Sequence, residues 1–251
     1  MCGLRIRPVS FGRFVSAEKS NFTYGIDQGV KIEAPIVGWL IEGGRKRILV
    51  DTGGSDPEWA AKYHHPVARS PEEEPVTALQ RFGLSPLDID LVVNTHLHWD
   101  HCFNNDLFAN ATIFVQEEEL RYAIAPLPCH AVYYESWEIG MTPPWIKSIG
   151  RIKAIKGQRE IEKGVTVIPL PGHTPGFQGV LVEAKSGRFL IAGDACPLFE
   201  NWRGRFHQKY IPPGIHVNLF DCYQTFEKLE ALGAKILPGH DKEVLETLCY
   251  E

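Results

Sequence analysis

Residues 95–101 read Thr-His-Leu-His-Trp-Asp-His, and hold three of the chain's ten histidines together with Asp100. A lone histidine at a turn is ordinarily a hydrogen-bonded structural residue. Histidine tags sit at termini and are not interleaved with Leu, Trp and Asp. The residues just before the motif, LDIDLVVN, carry Ile89, Leu91, Val92 and Val93, the pattern of a buried strand. The cluster therefore falls where a strand gives way to a loop. His96 and His98, two apart, face the same side of an extended chain, and Asp100 and His101 follow in the ensuing turn. Neutral imidazole and carboxylate are the usual donors to zinc and similar divalent ions, so the stretch reads as part of a metal site.

Four donors can hold one ion but rarely two, and three more candidates occur downstream in similar settings. VTVIPLPGHTPG presents His173 at a Pro-Gly turn after an apolar strand, RFLIAGDA ends a strand at Asp194, and AKILPGHD ends one at His240. Functional groups commonly sit on such loops, held by a rigid sheet. Each candidate is weak alone, because a histidine after Pro-Gly is often only a turn residue. Together with the first cluster they are a strong signal.

Other strand-like runs are APIVGWLIE, RKRILVDTG, ATIFVQ and GVLVEAKSG, with KSGRF reading as a hairpin turn. Helical patterns are fewer. SPEEEPVTALQRFGL suits a helix that starts after Ser70-Pro71 and ends at Gly83. LFDCYQTFEKLEALG puts Cys222, Phe226 and Leu229 on one face and stops at Gly233. Strand-rich blocks punctuated by helices predict a layered α/β fold. Ligand-bearing strands spread from residue 89 to residue 240, which predicts that residues 1–251 form a single domain.

The chain has 251 residues, 44% of them hydrophobic and 23% charged, with a formal net charge of −5. No basic run supports nucleic-acid binding or attraction to an anionic membrane. No apolar run is long enough to span a bilayer. The start, MCGLRIRPVSFGRF, lacks the continuous apolar core of a signal peptide. Cys2, Cys102, Cys129, Cys196, Cys222 and Cys249 are scattered without a CxxC pair, which suits free thiols in a reducing cytoplasm. Cys102 and Cys196 lie beside suspected ligands, yet the better reading of both is a small buried hydrophobe.

HLHWDH, His173 in PGHTPG, Asp194 in AGDA and His240 in PGHD resemble, in type and order, the metallo-β-lactamase superfamily. The resemblance extends to ILVDTGG at 48–54 and covers essentially the whole chain. NFTYGIDQGVKIEAPIVGWLIE and IPPGIHVN are similar to its N-acyl-homoserine lactonase branch, the quorum-quenching enzymes, which also includes lactonases for other small rings. The resemblance implies an αβ/βα sandwich of two mixed sheets flanked by helices. It implies a dinuclear centre in which His96, His98 and His173 hold one metal, Asp100, His101 and His240 hold the other, and Asp194 bridges them. Zinc is the default ion, and Fe, Mn or Co fit the same donors. The implied reaction opens a small lactone by attack of a metal-bridging hydroxide on its carbonyl, with Asp100 as the catalytic proton shuttle. Asp51 reads either as a carboxylate supporting the ligand loop or as a turn-forming residue.

Other branches fit less well. Glyoxalase II-like thioesterases carry a helical domain after the last ligand, whereas eleven residues follow His240. Superfamily nucleases need a large inserted domain and basic charge. Diiron redox members place Glu where His98 stands and append a flavin domain. Secreted β-lactamases carry export signals. A hydrolase for another small ester, amide or cyclic substrate stays open, as does, more distantly, a non-catalytic metal-binding protein.

Homoserine lactonases of this branch carry a Tyr three residues after the bridging Asp, to hydrogen-bond the substrate carbonyl. Here that position is Pro197, which has no side-chain donor. Candidate replacements for substrate contact are His207 and Tyr210 in RFHQKYIPP, and Tyr133, Tyr134 and Trp137. The last three lie in the aromatic, Pro-containing segment 122–150, which reads as irregular core packing, a substrate wall or a homodimer surface. The expected partner is a small-molecule substrate.

Overall fold

In the computed structural model, which describes residues 3–251, the strands around the His-rich motif are apolar on both faces because both faces are covered. Cys2 lies outside the described residues. One sheet contains β1 (Arg5–Glu18), β2 (Lys31–Glu42), β3 (Ile48–Val50), β4 (Val67–Ala68), β5 (Leu91–Val93), β6 (Thr112–Gln116) and β7 (Ile152–Ile155), in the order β4-β1-β2-β3-β5-β6-β7. The second contains β8 (Arg159–Glu162), β9 (Val165–Pro169), β10 (Gln178–Ala184), β11 (Gly187–Gly193) and β12 (Lys235–Pro238), in the order β12-β11-β10-β9-β8. Both sheets are mixed: β3, β5, β6 and β7 run parallel, as do β11 and β12, while the remaining pairings are antiparallel.

Side-chain alternation assigns each strand to two cores. Trp39, Ile41, Ile48, Val50, Leu91 and Val93 face Val165, Val167, Val180, Val182, Ile191 and Leu237 between the sheets. The alternate residues Leu40, Leu49, Val92, Ile113 and Val115 face outward under the helices of the first sheet. On the second sheet, Ile168, Leu190 and Ile236 meet Phe226 and Leu229, which lie on the helix Leu219–Leu232. Each such side chain, fully buried, contributes about 1.5–3 kcal/mol, so the shared middle layer binds the sheets into the expected αβ/βα sandwich.

The helices are α1 (Pro57–Tyr63), α2 (Pro75–Gln80), α3 (Trp99–Cys102), α4 (Glu117–Ile124), α5 (Phe199–Arg203) and α6 (Leu219–Leu232). The last ends at Gly233 in the left-handed conformation, as its sequence predicts. SPEEEPVTALQRFGL, in contrast, is not one helix. Ser70 caps a single 3-10 turn at Pro71–Glu73, and α2 begins afresh at Pro75. Proline disfavours helical φ/ψ in the residue before it, and Glu74 is extended (ψ 137°). The KSGRF hairpin joins β10 to β11, with Ala184 opposite Gly187. No helix among the described residues is long and apolar enough to cross a membrane.

Candidate metal centre

Four strands deliver the candidate ligands to one edge of the sandwich. His96 and His98 follow β5, His173 follows β9, Asp194 follows β11 and His240 follows β12. The three strands from the second sheet point the same way, because β9 and β11 are each antiparallel to β10 and β12 is parallel to β11. Their C-terminal ends therefore share an edge. Asp100 and His101 come from α3, a single helical turn rather than an irregular loop.

All seven side chains are nearly or fully buried. Ligand atoms of His96, His98 and His173 cluster within 4.8 Å, as do those of Asp100, His101 and His240, and those of His96, His101 and Asp194. Asp194 lies between the trios. Its Oδ1 is 3.1 Å from His240 Nε2, and its Oδ2 is 3.5 Å from His173 Nε2 and 3.6 Å from His101 Nε2. A Cβ on Gly239 would come within 2.6 Å of Asp194 Oδ1, so the glycine of PGHD is what lets Asp194 sit between the trios.

The outer ring nitrogens fix the tautomers. His173 Nδ1 donates to the Ile215 carbonyl (2.7 Å) and His240 Nδ1 to the Pro35 carbonyl (2.8 Å). His101 Nδ1 donates to Asp51 Oδ2 (2.9 Å). Thr95 Oγ1 donates to the same carboxylate oxygen (2.8 Å) and so accepts from His96 Nδ1 (3.0 Å). Each Nε2 is thereby turned inward. His96 Nε2 and His173 Nε2 face one another at 3.2 Å, and His98 Nδ1 is 3.2 Å from the same His173 nitrogen. His101 Nε2 and Asp194 Oδ1 are buried without a hydrogen-bond partner. Imidazole nitrogens and carboxylates gathered this closely make a donor set that fits two divalent cations.

The electrostatics divide the same way. Burial, reinforced by neighbouring histidines, pushes His96 and His98 well below the usual imidazole range. Burial lowers His173 to about 4. For His101 burial opposes charge too, yet Asp100, Asp194 and Asp51 outweigh it and hold the ring well above the ordinary value.

Asp51 is both of the things its sequence suggests. It sits at φ +59° in the turn after β3, and its carboxylate accepts from Thr95 N (2.8 Å), Thr95 Oγ1 and His101 Nδ1. Asp51→Asn is expected to keep the turn, since Asn tolerates the left-handed region. It should weaken metal binding by about 10–100-fold in chelator competition. Unchanged metal affinity would reduce Asp51 to a turn residue.

Glu119 has no counterpart in the sequence reading. This fully buried carboxylate on α4 accepts from Leu97 N (3.0 Å), Tyr134 Oη (2.8 Å) and Thr174 Oγ1 (2.6 Å). It thereby ties the His96–His98 loop to the His173 loop. Burial raises its pKa despite these donors.

A cleft opens over His98, Asp100, His173, Asp194 and His240, walled by Phe14, Phe22, Trp99, Tyr133 and Pro197. Of the candidate substrate contacts, Tyr133 alone lines it. Tyr134 packs edge-on against His98 with its hydroxyl committed to Glu119. Tyr210 is sandwiched between Trp202 and Phe226 at centroid distances of 5.0 and 4.9 Å, so it is a core residue. Trp137 packs against Trp145 and is 46% exposed. His207 is exposed in the turn joining Arg205 to Gln208. Apolar stacking draws Tyr210 inward, and the others have nothing to hold them over the cleft. Phe14, Phe22, Asn21 and His65 are cleft residues that the sequence reading did not single out. Cys102 and Cys196 are buried, and burial pushes both thiols well up, as inert core residues.

A family model described as the Metallo-beta-lactamase superfamily matches residues 34–240. The chain belongs to this superfamily. Among the superfamily's members, an N-acyl homoserine lactonase of Bacillus cereus is 30% identical over 197 residues, or 74% of this chain and 73% of that protein. The N-acyl homoserine lactonase AttM of Azorhizobium caulinodans is 27% identical over 254 residues, covering 89% of this chain and 88% of its own. A solved quorum-quenching N-acyl homoserine lactone lactonase is similar with a TM-score of 0.76 and 25% identity, covering 97% of this chain and 94% of that one. AidC, a dizinc quorum-quenching lactonase solved with a product, shares the superfamily fold at a TM-score of 0.67 and 17% identity, covering 95% and 88%.

Proposed function

We propose that this chain is a divalent-metal-dependent lactonase that opens small lactone rings, acyl-homoserine lactones or related ones, with zinc as its ion. The observation that carries the reading is Asp194 standing between two histidine-rich trios beneath an apolar cleft. The lactonases among its relatives support it. Divalent ions in such a site supply an activated water at neutral pH and a Lewis acid for a carbonyl. The chain's own residues do the rest. The apolar walls exclude bulk water and hold an acyl group, and Asp100, which lines the cleft, carries the proton to the departing alkoxide. Pro197 at the cleft keeps a second reading in play, a hydrolase for another ester, amide or cyclic substrate on the same residues. The proposal also includes a reducing cytoplasmic setting, supported by the free thiols of Cys102, Cys129, Cys196, Cys222 and Cys249. It includes homodimerisation through segment 122–150, which a strictly monomeric mass in light scattering would refute.

Protein purified without chelator is expected to carry about two equivalents of divalent metal and to open at least one class among acyl-homoserine, γ-, δ- and aromatic lactones. Efficient cleavage of an aryl ester or cyclic amide with every lactone inert would replace the lactonase reading with the second one. A well-folded, active, metal-free preparation would end both.

A further inference from the structure

We propose that the Tyr133 hydroxyl donates a hydrogen bond to the substrate's carbonyl oxygen and stabilises the oxyanion that develops there. The inference rests on the reading of the cleft as a lactonase site and names the residue that completes it.

Three tyrosines cluster beside the ligand loop, and their hydroxyls have different fates. Tyr122 Oη is hydrogen-bonded to His130 Nδ1 (2.8 Å) and Tyr134 Oη donates to Glu119 (2.8 Å). Among the described residues no protein group takes the Tyr133 hydroxyl, although the residue lines the cleft together with Asp100 and Asp194. Its ring lies 5.3 Å from that of His98. A phenol is protonated at neutral pH and has a proton to donate. Pro197, on the same cleft, has none.

Tyr133 is also held still. Its carbonyl accepts from Trp99 N (2.8 Å), inside the ligand motif, and its own N–H donates to the His130 carbonyl (3.0 Å). Two residues on, Glu135 adopts φ +47°. Its buried carboxylate accepts from Trp59 Nε1 (2.6 Å) and bonds His64 Nε2 (2.8 Å). The His64 ring in turn stacks on Trp99 at 4.1 Å and 5°. The tyrosine is therefore locked to the loop that carries the ligands. A donor fixed in advance costs no reorganisation when charge develops, which is what an oxyanion site requires. Asn21 and His65 are the other polar cleft residues outside the ligand set, and of the three only Tyr133 has a backbone hydrogen bond to segment 95–101.

The test compares wild-type holoenzyme with Tyr133→Phe on whichever carbonyl substrates the wild type turns over. The expected result is a fall in kcat of about 100-fold with little change in KM, at unchanged metal content and melting temperature. N-hexanoyl-L-homoserine, a ring-opened product, should bind the variant about tenfold more weakly by calorimetry. A kcat within about threefold of wild type, or a loss explained by lost metal or lost fold, overturns the role of Tyr133. Wild type that cleaves esters or amides but no lactone overturns the lactone reading alone, because the kcat comparison on those substrates still decides Tyr133. Wild type inert on every carbonyl substrate overturns both.

Discussion

Asp194→Ala is expected to abolish turnover. Residues that merely orient a ligand cost about 10–100-fold when removed. Asp194 instead reaches both histidine trios with its two oxygens, so kcat/KM should fall by about 1,000-fold or more, with metal content dropping from about two equivalents to about one or fewer. The cause is electrostatic. Ring nitrogens of His96, His101, His173 and His240 and the Asp100 carboxylate converge here with Asp194 between them, and two divalent cations held there would need its negative charge close to both trios. Elemental analysis and lactone turnover on the same preparation check it. A variant that keeps two equivalents and near-wild-type rate would remove Asp194 from the centre.

The second large effect is expected at a residue that touches no ligand side chain. Glu119→Ala strips one carboxylate from three donors at Leu97, Tyr134 and Thr174. Each buried donor left unpaired costs about 1–3 kcal/mol, so a loss of about 3 kcal/mol or more is expected. In a chain of this size that lowers Tm by about 6–12 °C. Glu119→Gln should cost much less, since the Thr174 hydroxyl can reverse and accept from the amide while the remaining oxygen still serves Leu97 and Tyr134. Metal affinity should follow the same ranking, because the two loops that Glu119 joins carry His96, His98 and His173. Thermal unfolding that leaves alanine and glutamine variants indistinguishable from wild type would show that the loops hold themselves.

Where chemistry is concentrated in local motifs, the sequence could be read directly. His96, His98, Asp100 and His101 lie within one turn of chain, and the spacing that makes them conspicuous also makes them converge. His173, Asp194 and His240 carry the same local signature, an apolar strand broken by a glycine-containing turn. Helix α6 was legible because one face repeats at helical spacing and Gly233 stops it. The long strand β1 was not, because Arg, Ser and Pro interrupt its apolar residues, and the register shifts after Ser10 and Phe14 break the alternation that marks a strand. The division of SPEEEPVTALQRFGL at Pro75 was legible in principle, since proline restricts the residue before it.

Glu119 and the cleft show where local reading ends. Glu119 is the third of three consecutive acids at the start of α4, a pattern that normally means a solvated helix N-terminus favoured by the helix dipole. Only the approach of the Leu97 and Thr174 loops buries it. Tyr133 and Tyr134 are adjacent and identical in type, yet one lines the cleft and the other has its hydroxyl held by Glu119. Phe14, Phe22 and His65 reach the cleft from segments far along the chain. By itself the sequence determined the superfamily, the layered architecture and the seven converging donors, because strand patterning, tight turns and ligand spacing are local properties. The tertiary structure alone decided which carboxylate braces the loops and which side chains wall the cleft. Those roles depend on contacts between segments distant in sequence, which no local pattern encodes.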